Sequence, residues 1–392
     1  MPGRSHDDAM ARVMISCGEP SGDLYAGALA RALREVDPAT EVFGLGGERL
    51  AAAGARLTGD YRGISVTGLV EVVRLLPRTY AMFRRLVRAA REERPDVLVA
   101  IDFPDFNFRL AAAVRRLGIP VVYYISPQLW AWRPGRMRTM KRLASRVLVI
   151  FPFEVAIYEA AGVPVEFVGH PLVDLTPQLE ATPEVRSSLG LAAHAPTVAL
   201  LPGSRANEVR RLLPVLLEAA VRLTSARPAL QFVLARAPGL DDALFAPVTR
   251  ARAAGVRLTA VESRTDEALA ASDVVITASG TATMQAALHG KPMVIVYRLS
   301  PLTYRLGIRF VKVDTYGMVN LVAGRRIVPE LIQDACTPEA VAAETERLLS
   351  DGAARAAVVT GLEDVRARLG GPGASRRAAE AVLRVVRGAT RS

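Results

Sequence analysis

Short apolar runs alternate along the chain with stretches whose apolar residues recur every three or four positions. In the first half the runs are RVMISC at 12–17, EVFGL at 41–45, DVLVAI at 96–101, IPVVYYI at 119–125, RVLVI at 146–150 and VEFV at 165–168. Helical periodicity fills the intervals, notably at 22–36, 78–94, 107–117 and 153–161. Runs with no polar alternation read as strands buried on both faces, and strand–helix–strand repetition reads as a parallel sheet covered by helices. A stretch rich in Pro, Thr and Ser at 174–197 then reads as a connector. The rhythm restarts with TVALL at 197–201, LQFVLA at 230–235, VRLTA at 256–260, DVVIT at 273–277 and MVIVY at 293–297.

The pattern predicts an α/β chain of two facing Rossmann-like, doubly wound domains, with ligands at the carboxyl ends of the strands in the interdomain cleft. Residues 1–172 form the first domain in this reading and 173–350 the second. The Arg-rich tail 351–392 reads as helical, and its packing stays open.

Composition fits that division. A chain of 392 residues, 51% apolar and 23% charged, is long enough for two domains of roughly 150 to 200 residues with substantial cores. Cys17 and Cys336 are far apart and match no disulfide or zinc spacing, which fits a reducing compartment. The N-terminal MPGRSHDDAMAR lacks the apolar core of a signal peptide, and no apolar stretch is long enough to span a bilayer, so a cytoplasmic location is expected.

The net charge of +11 is informative mainly through its distribution, because only three of the 50 basic residues are lysines and the excess reflects a general bias toward Arg. Six arginines and no acid lie between Arg74 and Arg91, including Arg78, Arg84, Arg85 and Arg88, interleaved with Met82, Phe83 and other apolar residues. A second acid-free stretch at 130–146 joins Trp130 and Trp132 to six more basic residues. Around 302–313, Arg305, Arg309 and Lys312 share one helical face among apolar neighbours. Each segment alone reads as a solvated helix face with snorkelling arginines. The three together point to an anionic membrane surface. Nucleic acid is not expected, since no helix-turn-helix, RNP or zinc-knuckle signature occurs.

Three strand–turn–helix junctions carry candidate chemistry. LLPGSRANEV at 200–209 offers Gly203 for close backbone approach, Ser204 as a donor and Arg205 as a two-pronged phosphate ligand. TASGTATMQAAL at 277–288 offers Ser279, Gly280 and Thr281 at a helix N-terminus, with Gln285 one turn further in, suited to a ribose hydroxyl. Together these suggest a diphosphate nucleotide. Neither a P-loop nor a GxGxxG fingerprint is present. SCGEPSGDLYAG at 16–27 has the same shape but carries Glu19 and Asp23, whose charge argues against phosphate.

In AIDFPDFNFRLA at 100–111, Asp102 ends a strand and is placed to act as a general base, while Asp105 reads as the cap of the helix beginning near Phe106. His170, in VGHPLVD at the junction of the halves, reads as a hinge or capping residue. No Asp-x-Asp pair occurs, so no metal on the diphosphate is indicated.

These motifs, in this order, resemble the lipid-A-disaccharide synthases, GT-B-fold inverting glycosyltransferases of family 19. The resemblance runs from Val13 to Cys336 and is carried by GEPSGD, IDFPDFN, YYISPQLWAWRPGR, FPFE, VGHPLVD, LLPGSRANEV, ASGTATMQAALHGKPMVIVYR and NLVAGR. It implies UDP-2,3-diacylglucosamine as donor and 2,3-diacylglucosamine 1-phosphate as acceptor, joined by a β-1,6 bond with release of UDP and with no cofactor. It implies Asp102 as the base, with Arg205 and the 279–281 turn stabilising the departing diphosphate. Asn320 matches a family position near the donor, and Glu19 a cleft residue suited to hydroxyls, while Ser21 and Asp23 would donate or cap the helix start.

Gln285 departs from the family, which commonly has Glu there; an amide still bonds a hydroxyl. Because both substrates are acylated, the basic segments gain a purpose, docking the enzyme peripherally on the cytoplasmic face of the inner membrane. A homodimer is left open. On the residues alone, two rivals remain: a UDP-sugar epimerase, which would have no use for the basic segments, and a non-catalytic nucleotide-sugar or lipid-binding protein, which would not need Asp102.

Overall fold

The apolar runs become parallel strands because nearly every residue in them is buried, as along Val97–Ile101 and Val274–Ala278. A computed structural model describes residues 10–63, 69–127, 129, 134–299, 315 and 317–389. In the first half the strands are β1 (Arg12–Ser16), β2 (Glu41–Gly46), β3 (Arg56–Asp60), β4 (Val97–Ile101), β5 (Val121–Tyr124), β6 (Arg146–Val149) and β7 (Val165–Phe167). They form one sheet in the order β3-β2-β1-β4-β5-β6-β7, parallel throughout.

The second half holds β8 (Thr197–Leu201), β9 (Gln231–Arg236), β10 (Arg257–Glu262), β11 (Val274–Ala278), β12 (Met293–Tyr297) and β13 (Glu330–Ile332). Their order is β10-β9-β8-β11-β12-β13, again parallel. Both sheets are Rossmann-like, as the pattern predicts. The edge strands β3 and β13 are absent from the sequence expectation, since RLTGD and ELI carry too few apolar residues to announce themselves.

Each sheet reverses its winding once, between β1 and β4 in the first and between β8 and β11 in the second. Such switch points leave a crevice at the carboxyl ends of the strands, because the helices that follow the two central strands cover opposite faces. The core of the first half lies on both sides of its sheet. Met14, Leu86, Leu98, Phe106 and Leu110 fill one side, and Tyr123, Met140, Val147, Val149 and Tyr158 the other. Each such side chain contributes roughly 1.5–3 kcal/mol by leaving water.

Contacts divide the chain into two units: residues up to Leu175 together with those from Leu369 onward, and Thr176–Arg368. The boundaries expected at 172/173 and 350/351 thus fall at 175/176 and 368/369. The helix Gly352–Arg368 stays with the second unit, where Arg368 donates to the Val322 carbonyl at 3.2 Å. The helix Ala374–Ala389 returns to the first unit and packs on the helix Pro20–Val36. Asp174 anchors its start, accepting from the Gly373 and Ser375 N–H groups at 2.6 and 3.1 Å. Arg377 holds the same corner by donating to the Val168 and Gly371 carbonyls, both at 2.8 Å.

Candidate active site

In the first unit, β1 and β4 pair side by side, Ser16 opposite Ala100, so the turns that follow them meet at the switch point. Their contact is close: a Cβ on Gly18 would stand 2.2 Å from the Phe103 ring, so only glycine lets the GEPSGD turn lie against IDFPDF. Asp102 and Phe103 both take left-handed conformations, φ 42° and 49°, which cost a non-glycine residue about 1–3 kcal/mol each.

Neighbouring groups hold that strained turn. The Asp102 carbonyl accepts from Asn107 Nδ2 and from the Tyr123 hydroxyl, each at 2.8 Å, and the Asp102 N–H donates to the Ile125 carbonyl at 3.2 Å. Asn107 is buried, and its Oδ1 accepts from the Ser16 hydroxyl at 2.7 Å, which ties β1 into the same network. Burial, and after it the Asp102 charge, push the Tyr123 phenol well above its usual range, so it remains a donor. Ile125, at the end of β5, is a third left-handed residue, φ 54°.

A cavity of about 430 Å³ opens beside this turn, lined by Asp102, Asp105, Ser126, Arg136, Glu154 and apolar neighbours. Asp105 is not the helix cap expected of it: Pro104 begins the helix Pro104–Arg115, and Phe103 stands at the cap position without a side-chain bond. Asp105 is therefore already in the first turn, and it accepts from Arg136 Nη2 at 2.5 Å. The Arg136 guanidinium lies over the Phe108 ring, 5.7 Å from its centroid. Glu154 is buried and accepts from the Phe151 N–H at 3.3 Å, and Ser126 bonds the Tyr158 hydroxyl. Sequence reasoning assigned no role to Ser126 or Glu154, and it read Arg136 only as one of the basic residues of the 130–146 membrane segment, whereas Arg136 lines this cavity. The one available signal was that they lie within or beside the quoted motifs YYISPQLWAWRPGR and FPFE.

The opening turn also differs from expectation. Asp23 does not cap its own helix; its buried carboxylate accepts from the N–H groups of Gly47, Arg49 and Leu50 at 2.6, 2.9 and 3.2 Å, the start of the helix Glu48–Ala52. A carboxylate stabilises that helix end through its dipole and unbonded donors. Glu19, half-buried and extended, stands at the cap position of Pro20–Val36, and Ser21 is half-buried in its first turn.

In the second unit, β8 and β11 are neighbours with Leu201 opposite Thr277, so LLPGSR and ASGTAT flank one switch point. Gly203 is left-handed, φ 115°, and a Cβ there would come within 2.5 Å of Glu208 Oε2. Glu208 already occupies this turn: its carboxylate accepts from the Ser204 N–H at 3.3 Å and from Arg205 Nη1 at 3.2 Å. The turn therefore holds an anion of its own.

Across the switch point Gly280 caps the helix Thr281–Leu288, and Thr283 Oγ1 donates back to the Gly280 carbonyl at 2.7 Å. The N–H groups of Thr281 and Ala282 precede the first intrahelical donor, the Thr283 N–H, which bonds the Gly280 carbonyl at 3.1 Å. The Ser279 N–H is used in the sheet, bonded to the Val296 carbonyl at 3.1 Å, so this residue offers its hydroxyl. Gln285 is half-buried one turn on.

Asn320, expected as a donor contact, is buried with every polar group engaged. Its Oδ1 accepts from the Ile327 and Val328 N–H groups at 2.8 and 3.0 Å, and its Nδ2 donates to the Val328 carbonyl and to Glu330 Oε1 at 3.0 and 2.6 Å. An amide makes four such bonds and no more, so Asn320 ties the helix Met318–Ala323 to β13.

His170 is buried, and its Nδ1 accepts from the Leu172 N–H at 3.1 Å, at the start of the helix Leu172–Leu175. Burial lowers its pKa to about 3, so it is a neutral capping group.

The basic segment at 74–91 lies in the helix Leu69–Glu93. Arg78, Arg84, Arg85 and Arg88 are exposed, beside Leu76 and Tyr80, which are 52% and 62% exposed. Met82 and Phe83, expected on the membrane side, are half-buried against the core instead. Met82 fills the space a side chain at Gly59 would take, and Phe83 meets Phe106 edge-on. Arg74 is in the same helix, while Trp130, Trp132, Arg305 and Arg309 lie outside the described residues.

Residues 13–385 match the family model of the lipid-A-disaccharide synthetases. The chain is similar to the lipid-A-disaccharide synthases of Myxococcus xanthus, 47% identical over 96% of this chain and 97% of that one, and of Anaeromyxobacter dehalogenans, 48% over 96% and 98%. Among solved structures it resembles UDP-GlcNAc 2-epimerase from Neisseria meningitidis bound to UDP-GlcNAc, with a TM-score of 0.68 at 12% identity over 95% and 99% of the two chains. Anabaena HepE in complex with UDP-glucose gives 0.59 at 15% identity over 96% and 100%. At such identities the structural likeness speaks for the fold alone.

Proposed function

Because this chain belongs to the lipid-A-disaccharide synthase family and is a glycosyltransferase of lipid A biosynthesis, we propose that it joins UDP-2,3-diacylglucosamine to 2,3-diacylglucosamine 1-phosphate by inversion. The 6-hydroxyl of the acceptor attacks the anomeric carbon of the donor from the face opposite UDP. As the new C–O bond forms, the hydroxyl proton passes to the Asp102 carboxylate. The bond from the anomeric carbon to the β-phosphate oxygen breaks, and its electron pair leaves with UDP.

The observation that carries this reading is the pairing of motifs at two switch points, Asp102 beside the β1 turn in one unit and Arg205 beside the 279–281 turn in the other. Each pre-aligned donor on the departing diphosphate is worth roughly 3 kcal/mol where water is excluded. Ser204, with Gly203 admitting the phosphate, adds to that set, while Gln285 takes the ribose and Glu19 and Ser21 face sugar hydroxyls. The diphosphate charge is assigned to Arg205 and the N–H donors of the 279–281 turn.

The substrates are lipids, and we assign the exposed face of Leu69–Glu93 to a peripheral site on the cytoplasmic side of an anionic inner membrane. No helix of the described residues is long and apolar enough to cross a membrane.

Chromatography of a reaction with both acylated substrates tests the proposal. A β-1,6 disaccharide 1-phosphate and UDP are expected, undiminished by chelator. Asp102→Asn should lose about 10² to 10⁴ in kcat with UDP affinity unchanged. Full turnover in that variant would remove the base assignment.

A further inference from the structure

The cavity beside Asp102 carries two signs of charge. Asp102, Asp105 and Glu154 are its acids, and Arg136 is the sole cation among the described residues that line it. We propose that Arg136 receives the anomeric phosphate of the acceptor, so that this cavity selects a glycosyl 1-phosphate over an uncharged sugar and points the opposite end of the ring at Asp102. The proposal rests on the acceptor chemistry of the preceding subsection and names the group that recognises it.

Three features of Arg136 suit the role. Its guanidinium is pre-aligned by the Phe108 face, which leaves the planar fork able to bind two phosphate oxygens at once. Its side chain is 31% exposed, so water at the phosphate would be partly excluded. Its pairing with Asp105 is screened by solvent, Asp105 being 71% exposed, so a phosphate monoester carrying about −1.5 to −2 competes well for the guanidinium.

The acids complete the argument, because Asp102 and Glu154 would repel a phosphate placed against them. Like charges thus exclude the reversed pose, and the hydroxyl side of the sugar faces the carboxylates. An arginine that merely braced the Pro104–Arg115 helix through Asp105 would have no stake in the charge of the acceptor.

Calorimetry with the full-length protein tests this, using 2,3-diacylglucosamine 1-phosphate, the same sugar without its phosphate, and UDP. The parent is expected to prefer the phosphorylated acceptor by roughly 10- to 100-fold, the strength of charge-assisted hydrogen bonds. Arg136→Gln should erase that preference by weakening only the phosphorylated acceptor, while Arg136→Lys keeps part of it and both variants bind UDP as the parent does.

A parent that binds both acceptors equally overturns the proposal without any variant. A glutamine variant that retains the preference, or that weakens both acceptors alike, also overturns it. A parent that binds neither acceptor would sink the acceptor reading itself, and this proposal with it.

Discussion

Asp102 sits in a turn, and Glu208 reaches one from the start of the helix Ala206–Ala226, each constraining more than its own side chain. Two consecutive left-handed residues at Asp102 and Phe103 persist because Tyr123, Asn107 and the Ile125 carbonyl grip the backbone at Asp102. Strain of this kind is retained where a side chain must be aimed. Glu208 is the converse case, a carboxylate resting on the Ser204 N–H and Arg205 where a phosphate is expected. Arg205 and Glu208 are 39% and 17% exposed at the side chain, so solvent screens the pair and its loss costs the fold little. If Glu208 is a placeholder that the donor displaces, Glu208→Gln should tighten UDP binding by about 2- to 10-fold. Titration of UDP into both proteins checks this, and weaker binding would show instead that Glu208 aligns Arg205.

Among the elements, the helix Leu69–Glu93 shows how one sequence pattern supports two roles. Its apolar stripe of Met82, Phe83 and Leu86 faces the core, and Arg78, Arg84, Arg85 and Arg88, with Leu76 and Tyr80, face outward. Large apolar side chains standing in water beside arginines suit an anionic lipid surface, where each well-placed basic residue contributes about 1 kcal/mol. Vesicle sedimentation should therefore show binding that needs anionic lipid and falls as salt rises. Neutralising Arg84, Arg85 or Arg88 to Gln should each weaken it by roughly fivefold, and Leu76→Asp with Tyr80→Asp should remove the salt-resistant remainder. Binding indifferent to salt and to lipid charge would refute the assignment. The facing of Met82 was not legible in the sequence, because helical phase is set by where Gly59 leaves room.

At the scale of the whole molecule, the chain end is a structural part of its beginning. Ala378, Ala379, Val382 and Leu383 are buried in the Ala374–Ala389 helix, which packs on Pro20–Val36, the helix that begins within the GEPSGD motif. Deleting residues 369–392 should destabilise the first unit by at least about 3 kcal/mol and leave the second unit's strands protected. Hydrogen exchange resolves the two, and parent-like protection of β1 and β4 would contradict it.

The sequence alone determined that there are two parallel sheets, short of their edge strands β3 and β13, and marked the junctions after β1, β4, β8 and β11 as candidate sites. Each is a local device, an apolar run followed by a turn and a helix start, and local periodicity encodes it. Tertiary structure decided which of these devices stand together and what surrounds them. Arg136, Ser126 and Glu154 join Asp102 because β4, β5 and β6 are neighbours in the sheet, and nothing in their own segments states that adjacency. Asn320 looked like a ligand contact, yet the approach of residues 327–330 engages all four of its hydrogen bonds. A residue's chemistry is written in its side chain, but whether that chemistry remains available depends on which distant backbone groups folding brings against it.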